Sequence, residues 1–164
     1  MKRKPFNLFV LSMLVTLLFF GGCTTSSKKG EVEQMDFSHE PENVIYLAGG
    51  CFWGIEYLMK SIPGVTSTTS GYANGTGEKD ATYNKIRFGK TGFKETVRVE
   101  YDPEQVSLDA LLLAYYYVID PTVKNRQGND VGTQYQTGIY YTNDKAKETV
   151  DRITELEKSR RTKF

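Results

Sequence analysis

Cys51 stands where a run of strand formers gives way to a helical spacing of apolar residues, and a thiol at such a junction can become a nucleophile. It belongs to the string Gly49-Gly50-Cys51-Phe52-Trp53-Gly54. Unpaired N–H groups and the positive end of the helix dipole favour a thiolate at a helix start, so the position predicts a lowered thiol pKa. The paired glycines would let backbone approach a ligand closely, and Phe52 and Trp53 would wall the sulfur with apolar surface. The plainer reading is a small buried hydrophobe, the usual fate of a free cysteine. Glu95 is the second residue able to do chemistry. It opens an alternating stretch in which Val97, Val99 and Tyr101 share its parity, which turns it toward the apolar side of a strand. Desolvation there raises a carboxyl pKa and lets the group give up a proton near neutral pH. Taken alone, a carboxylate at a strand end is more often simply exposed.

Both residues need a frame to hold them. Val44–Ala48 (V-I-Y-L-A) predicts a buried strand, and Phe52, Ile55, Leu58, Met59 and Ile62 predict a helix that Pro63-Gly64 stops. Residues 65–72 predict a second strand leading into a turn-rich loop over 73–80, and Lys94–Tyr101 predicts a third strand ended by Asp102-Pro103. Ser107 is placed to cap a helix through Val118, apolar on nearly all sides and therefore expected to be buried. A loop over 120–134 follows, then a strand over 135–141. Asn143 caps a last helix to about Ser159, with Ala146, Val150, Ile153 and Leu156 as its apolar stripe. No repeat or second domain appears. The expected architecture is α+β, a single domain with a central mixed sheet flanked by helices.

Gly50-Cys51-Phe52-Trp53-Gly54 resembles the active-site signature of the A-type peptide methionine sulfoxide reductases, and further matches run from about Val44 to about Lys158. Gly71-Tyr72-Ala73-Asn74-Gly75 resembles a string bordering that family's site. Thr91-Gly92-Phe93-Lys94-Glu95-Thr96-Val97 resembles its T-G-H-x-E-x-V, and the stretch from Asn125 to Tyr135 (N-R-Q-G-N-D-V-G-T-Q-Y) resembles a third block. The resemblance implies a ferredoxin-like element and reduction of the S epimer of methionine sulfoxide, free or in proteins. It makes Cys51 the attacking group and Glu95 the proton donor. Phe52 and Trp53 would accept the S-methyl group, Tyr83 and Tyr135 would hold the sulfoxide oxygen, and Asp130 would support the site. A cysteine sulfenic acid forms, with no metal or organic cofactor. By itself Tyr83, one of 11 tyrosines, would more often be packing. Phe93 and Ile119 replace customary histidines and Gln136 a common arginine, while Arg87 stands where an internal V-C-S-G cysteine is frequent. Family members continue with another strand and a segment resembling F-Y-x-A-E-x-Y-H-Q, so the domain over 42–164 is expected to lack its C-terminal segment.

The rest of the sequence bounds where such chemistry would occur. Met1 to Gly22 has the parts of a secretory signal, a basic start and an apolar run from Phe6 to Phe20 that is short for a membrane span. Gly21-Gly22 then precede Cys23, an arrangement resembling a lipoprotein signal, so Cys23 is the expected lipidation site and the product an exported, membrane-anchored lipoprotein. An ordinary cleaved signal and an uncleaved anchor are the other readings. Residues 23–41 are polar and expected to form a flexible tether. His39, the only histidine, lies at its end and cannot form a histidine-based metal cluster or a Cys-His-Asp triad. The 21 basic residues less Lys2, Arg3 and Lys4 leave 18 against 20 acidic ones, which excludes a basic nucleic-acid surface. Only Cys23 and Cys51 occur, so a sulfenic acid on Cys51 is expected to be reduced by an outside thiol, thioredoxin-like or small. Two other functions remain open: a thiol peroxidase, and an inactive lipoprotein that binds oxidised Met-rich segments.

Overall fold

Ala48 at the end of the first strand lies opposite Thr96, so the chain leaves the sheet for Cys51 beside the residue that precedes Thr96, which is Glu95. That register follows from a four-stranded sheet in a computed structural model that describes residues 39–162 and 164. The expected signal, Cys23 and nearly all of the expected tether lie outside these residues. The elements are β1 (Val44–Ala48), α1 (Phe52–Lys60), β2 (Val65–Ala73), α2 (Tyr83–Ile86), β3 (Lys94–Tyr101) and α3 (Leu108–Val118). β4 (Arg126–Gln127), β5 (Asp130–Val131), β6 (Gly138–Tyr140) and α4 (Asp144–Arg160) complete the order.

The sheet runs β2-β3-β1-β6, and each neighbouring pair is antiparallel. The α+β domain thus stands, while the expected mixed sheet is corrected. α1 returns the chain to β2 in the direction of β1, and α3 returns it to β6 in the direction of β3. In each case the first strand of the other unit enters between the two, which makes every contact antiparallel. This interleaving of two β-α-β units is the ferredoxin-like arrangement.

One face of the sheet is covered by the helices. Ile45 and Leu47 of β1 and Val97 and Val99 of β3 are fully buried against Ile55 and Met59 of α1 and Leu111, Leu112 and Tyr115 of α3. Burial of side chains of this size contributes about 1.5–3 kcal/mol each. α4 lies against α3 and adds Val150 and Ile153 to the same core. The caps form as their sequence predicts, with Ser107 Oγ accepting from the Ala110 N–H and Asn143 Oδ1 from the Ala146 N–H. α3 is less enclosed than its composition suggests. Leu113, Tyr117 and Val118 are exposed because the sheet and α4 cover only part of its circumference.

Three local features depart from the expected strand and loop pattern. The short helix α2 follows the turn-rich loop, and the loop over 120–134 contains the β4–β5 hairpin. The last strand is shorter than expected. Tyr135 ends a 3-10 turn, and its carbonyl accepts the Gly50 N–H at 3.2 Å instead of joining the sheet ladder.

Phe93 is buried with its ring on the backbone of Gly75, and this contact holds the loop after β2 against the start of β3. A Cβ at Gly75 would lie 2.1 Å from Phe93 Cδ2, so the ring must shift to admit it. Gly75→Ala is therefore expected to lower stability by about 1–3 kcal/mol, the usual cost of overpacking. Urea unfolding measures it, and an unchanged midpoint would show that the loop yields freely.

Candidate active site

α1 begins at Phe52 with no side chain capping it, which leaves its first N–H groups to be satisfied by residues from elsewhere. Two carboxylates serve. The Cys51 N–H donates to Asp130 Oδ2 at 3.3 Å, and the Phe52 N–H donates to Glu95 Oε2 at 3.1 Å. The positive helix end thus draws both acids to the residue that carries the thiol. Asp130 arrives on β5 and Glu95 on β3, from chain positions far apart.

The paired glycines explain how Cys51 reaches that point. A Cβ on Gly49 would lie 2.7 Å from Ile119 Cγ2, and Gly50 has φ +82° with Gln127 Cβ 2.9 Å from where its own Cβ would be. The backbone passes close to protein side chains here, not to an open ligand space as its sequence suggests. Tyr115, buried in α3, donates its hydroxyl to the Ala48 carbonyl at 2.6 Å and fixes the end of β1.

Glu95 is only 4% exposed, and burial pushes its carboxyl above the usual carboxylate range. The N–H of Phe52 opposes that shift, and the negative charge of Asp130 adds to it. For Cys51 the expected fall in thiol pKa does not occur. Burial pushes the thiol up, and a hydrogen bond from the Trp53 N–H, which lowers it, is opposed by the charges of Glu95 and Asp130. A side-chain hydrogen bond joins Cys51 to Glu95. The thiol and the carboxyl are thus coupled, and their titrations belong to the pair rather than to either residue.

Aromatic residues surround this pair. Phe52 packs against the core, with its ring 6.2 Å from Trp53 and 5.9 Å from Tyr72. Trp53 is 73% exposed and forms the outer wall. Tyr135 is half-buried, and burial together with Glu95 and Asp130 raises its phenol pKa. Tyr83 starts α2 and is exposed, next to Tyr72 at the rim. The histidine replacements fall away from the reacting groups: Phe93 on Gly75 and Ile119 on Gly49. Gln136 accepts the Asn125 N–H, holding the start of the β4–β5 hairpin.

Tyr72 is the site residue that the sequence left inside a motif without a role. It lies directly across the ladder from Glu95, so the two share a face, and burial with the nearby Glu95 charge raises its phenol pKa. Only the β2–β3 register shows this. The hairpin that delivers Asp130 did leave a signal, because Gly128-Asn129 between two short strands is a hairpin turn sequence, with Gly128 at φ +56°.

A thiol bonded to a buried carboxyl thus stands at a helix start, in an antiparallel sheet of split β-α-β units. The family is shown by comparison with known proteins. The family model described as peptide methionine sulfoxide reductase matches residues 43–163, and the chain belongs to that family. It is 50% identical over 119 residues to a peptide methionine sulfoxide reductase MsrA of Picrophilus torridus, covering 72% of this chain and 67% of that one. Among solved structures it resembles the methionine sulfoxide reductase A of Corynebacterium diphtheriae, at 39% identity and a TM-score of 0.66, covering 72% of this chain and 56% of the other. It also resembles the reduced form of Mxr1 from Saccharomyces cerevisiae, at 29% identity and a TM-score of 0.68, covering 78% and 75%. The chain thus spans a little over half of the Corynebacterium chain and about two thirds of the Picrophilus one.

Proposed function

We propose that this chain reduces methionine sulfoxide, free or in proteins, through a sulfenic acid on Cys51. The observation that supports it is the single hydrogen-bonded pair of Cys51 and Glu95, both with raised pKa values, at the start of α1. Moving the thiol proton from Sγ to the carboxyl creates a thiolate and an acid in one step. The thiolate attacks, and the sulfoxide oxygen passes to Sγ while Glu95 supplies its proton. The substrate sulfur gains two electrons as the sulfide forms and leaves, and the Cys51 sulfur loses two as the sulfenic acid forms. Phe52 and Trp53 are the proposed wall for the S-methyl group, Tyr83 and Tyr135 the donors to the oxygen, and Asp130 the anchor of the Cys51 backbone.

A thiol peroxidase would use a cationic pocket to steady a peroxide. Here the charges that act on the thiol are those of Glu95 and Asp130, carboxylates in place of the cation that a peroxide pocket would use. Turnover of a methionine sulfoxide peptide and of hydrogen peroxide, compared at equal concentration, tests the choice. Sulfoxide turnover exceeding peroxide turnover is the expected result, and the reverse order defeats the reading.

The sulfenic acid must then meet an outside thiol. Mxr1 of Saccharomyces cerevisiae is known in complex with Trx2, which makes a thioredoxin-like dithiol the reductant class to try first. We further propose that residues 1–22 direct export and that Cys23 carries a lipid anchor. The mature protein is then expected to partition into detergent with added acyl mass at its N-terminus, and Cys23→Ala to release it. A soluble product cleaved elsewhere would refute the anchor.

A further inference from the structure

Gln134, the residue before Tyr135 in the turn Thr133–Tyr135, carries a polar side chain into the interior and is 4% exposed. The two ends of its amide differ in their surroundings. Nε2 donates to the Arg87 carbonyl at 3.2 Å, and a side-chain hydrogen bond joins Gln134 to the Tyr135 phenol. Oε1 has no hydrogen-bond partner among the described residues, so both bonds belong to Nε2, whose two hydrogens serve one partner each. Only the nitrogen can donate to a carbonyl, so Arg87 decides which end of the amide meets Tyr135. Glycines leave room for the buried oxygen. A Cβ at Gly132 would lie 2.3 Å from Oε1 and one at Gly89 3.0 Å from it.

Arg87 belongs to the end of α2, where its N–H donates to the Tyr83 carbonyl at 3.0 Å. Thr133 Oγ1 donates to the Gly89 carbonyl at 2.7 Å and ties the turn to the same segment a second time. Gln134 therefore joins the turn that ends at Tyr135 to the helix that starts at Tyr83. We propose that Gln134 is a positioning residue, holding the Tyr135 phenol by its oxygen against the end of α2 so that the single O–H is left to donate to the sulfoxide oxygen. The inference rests on the sulfoxide-reductase reading and names a residue on which its oxygen site depends. A phenol has one hydrogen to give and lone pairs with which to accept. An amide oxygen facing it would take that hydrogen, whereas an amide nitrogen fills an acceptor position and polarises the O–H toward the substrate. The bond from Gln134 also opposes the rise in phenol pKa that burial, Glu95 and Asp130 cause. Buried amide oxygens are nearly always paired, and the orphaned Oε1 is the consequence of keeping the amide this way round.

A double-mutant cycle in the full chain separates this role from a general packing role. Gln134→Met keeps the length of the side chain and removes both donated bonds. Methionine released from a sulfoxide peptide in a single turnover is expected to slow about tenfold, the effect of one hydrogen bond. In Tyr135→Phe there is no hydroxyl to position, and the same substitution is expected to change the rate by less than about twofold, the limit for coupled sites to be told from independent ones. An equal slowing in both backgrounds, or none in the parent, overturns the proposal, because a loosened site would act with or without the hydroxyl. The second readout needs no turnover. NMR of ring-labelled tyrosine, assigned through Tyr135→Phe, is expected to show the Tyr135 phenol ionising at higher pH in Gln134→Met, and an unmoved titration overturns the bond. Should Gln134→Met fail to fold, Gln134→Asn, whose amide is one methylene short of both partners, takes its place in the cycle and in the titration. A parent chain that releases no methionine would defeat the underlying reading instead, and the titration would still decide the bond.

Discussion

Cys51→Ser is expected to yield a folded chain that no longer carries out the proposed conversion of methionine sulfoxide to methionine. The hydroxyl nearly matches the thiol in shape, and the backbone bonds of Cys51 and Phe52 to Asp130 and Glu95 do not involve the sulfur. A serine hydroxyl is a far weaker nucleophile and cannot form the sulfenic acid. Loss of a nucleophile costs on the order of 10⁴-fold or more in turnover. Methionine production from a sulfoxide peptide measures it, with circular dichroism as the check on folding. Activity above a few per cent of the parent would remove Cys51 from the mechanism.

Glu95→Gln has the second largest expected effect. The amide oxygen can still accept the Phe52 N–H, so the start of α1 keeps its partner. What disappears is the proton, and loss of general acid catalysis slows turnover by about 10²–10⁴-fold. The pH dependence changes as well. In the parent the coupled titration of Cys51 and Glu95 gives a bell-shaped profile whose limbs belong to the pair. In the variant the thiol must lose its proton to solvent, and the rate rises with pH until the thiol has ionised. Stability moves the other way. A carboxyl whose folded pKa is raised contributes stability below its unfolded pKa and loses it as pH rises through the folded value. At neutral pH Glu95 therefore carries a burial cost that the amide does not, and the variant is expected to melt no lower than the parent. A bell-shaped profile retained in Glu95→Gln would show that the acid is another group.

The sequence made some of this legible and concealed the rest for physical reasons. Strong patterns carried the frame. The alternation in Lys94–Tyr101 and the apolar run Val44–Ala48 each match a strand end for end, because both central strands bury one whole face. The caps at Ser107 and Asn143 were equally readable, since each depends on a bond within four residues. Strand direction was not. It depends on which strand enters between β1 and β2, a long-range choice that no local spacing encodes. The same limit hid Tyr72, which joins the site through register alone.

The electrostatics of Cys51 show a subtler limit. Its place at a helix start was readable, and the dipole argument for a low pKa is sound for that feature alone. Glu95 and Asp130 answer to the same dipole and arrive at the same N–H groups. Their charges and the burial they share reverse the shift on the thiol. A single helix end thus brings both carboxylates to the residue that carries the thiol. A sequence names both residues without giving the sign of their interaction.

The most direct test of the account is a single turnover without reductant, followed by mass spectrometry of the peptide bearing Cys51. The account predicts one methionine released per chain and the mass of one oxygen atom on Cys51, removable by a dithiol and trapped by a sulfenic-acid reagent. Methionine released while Cys51 remains an unmodified thiol would contradict it.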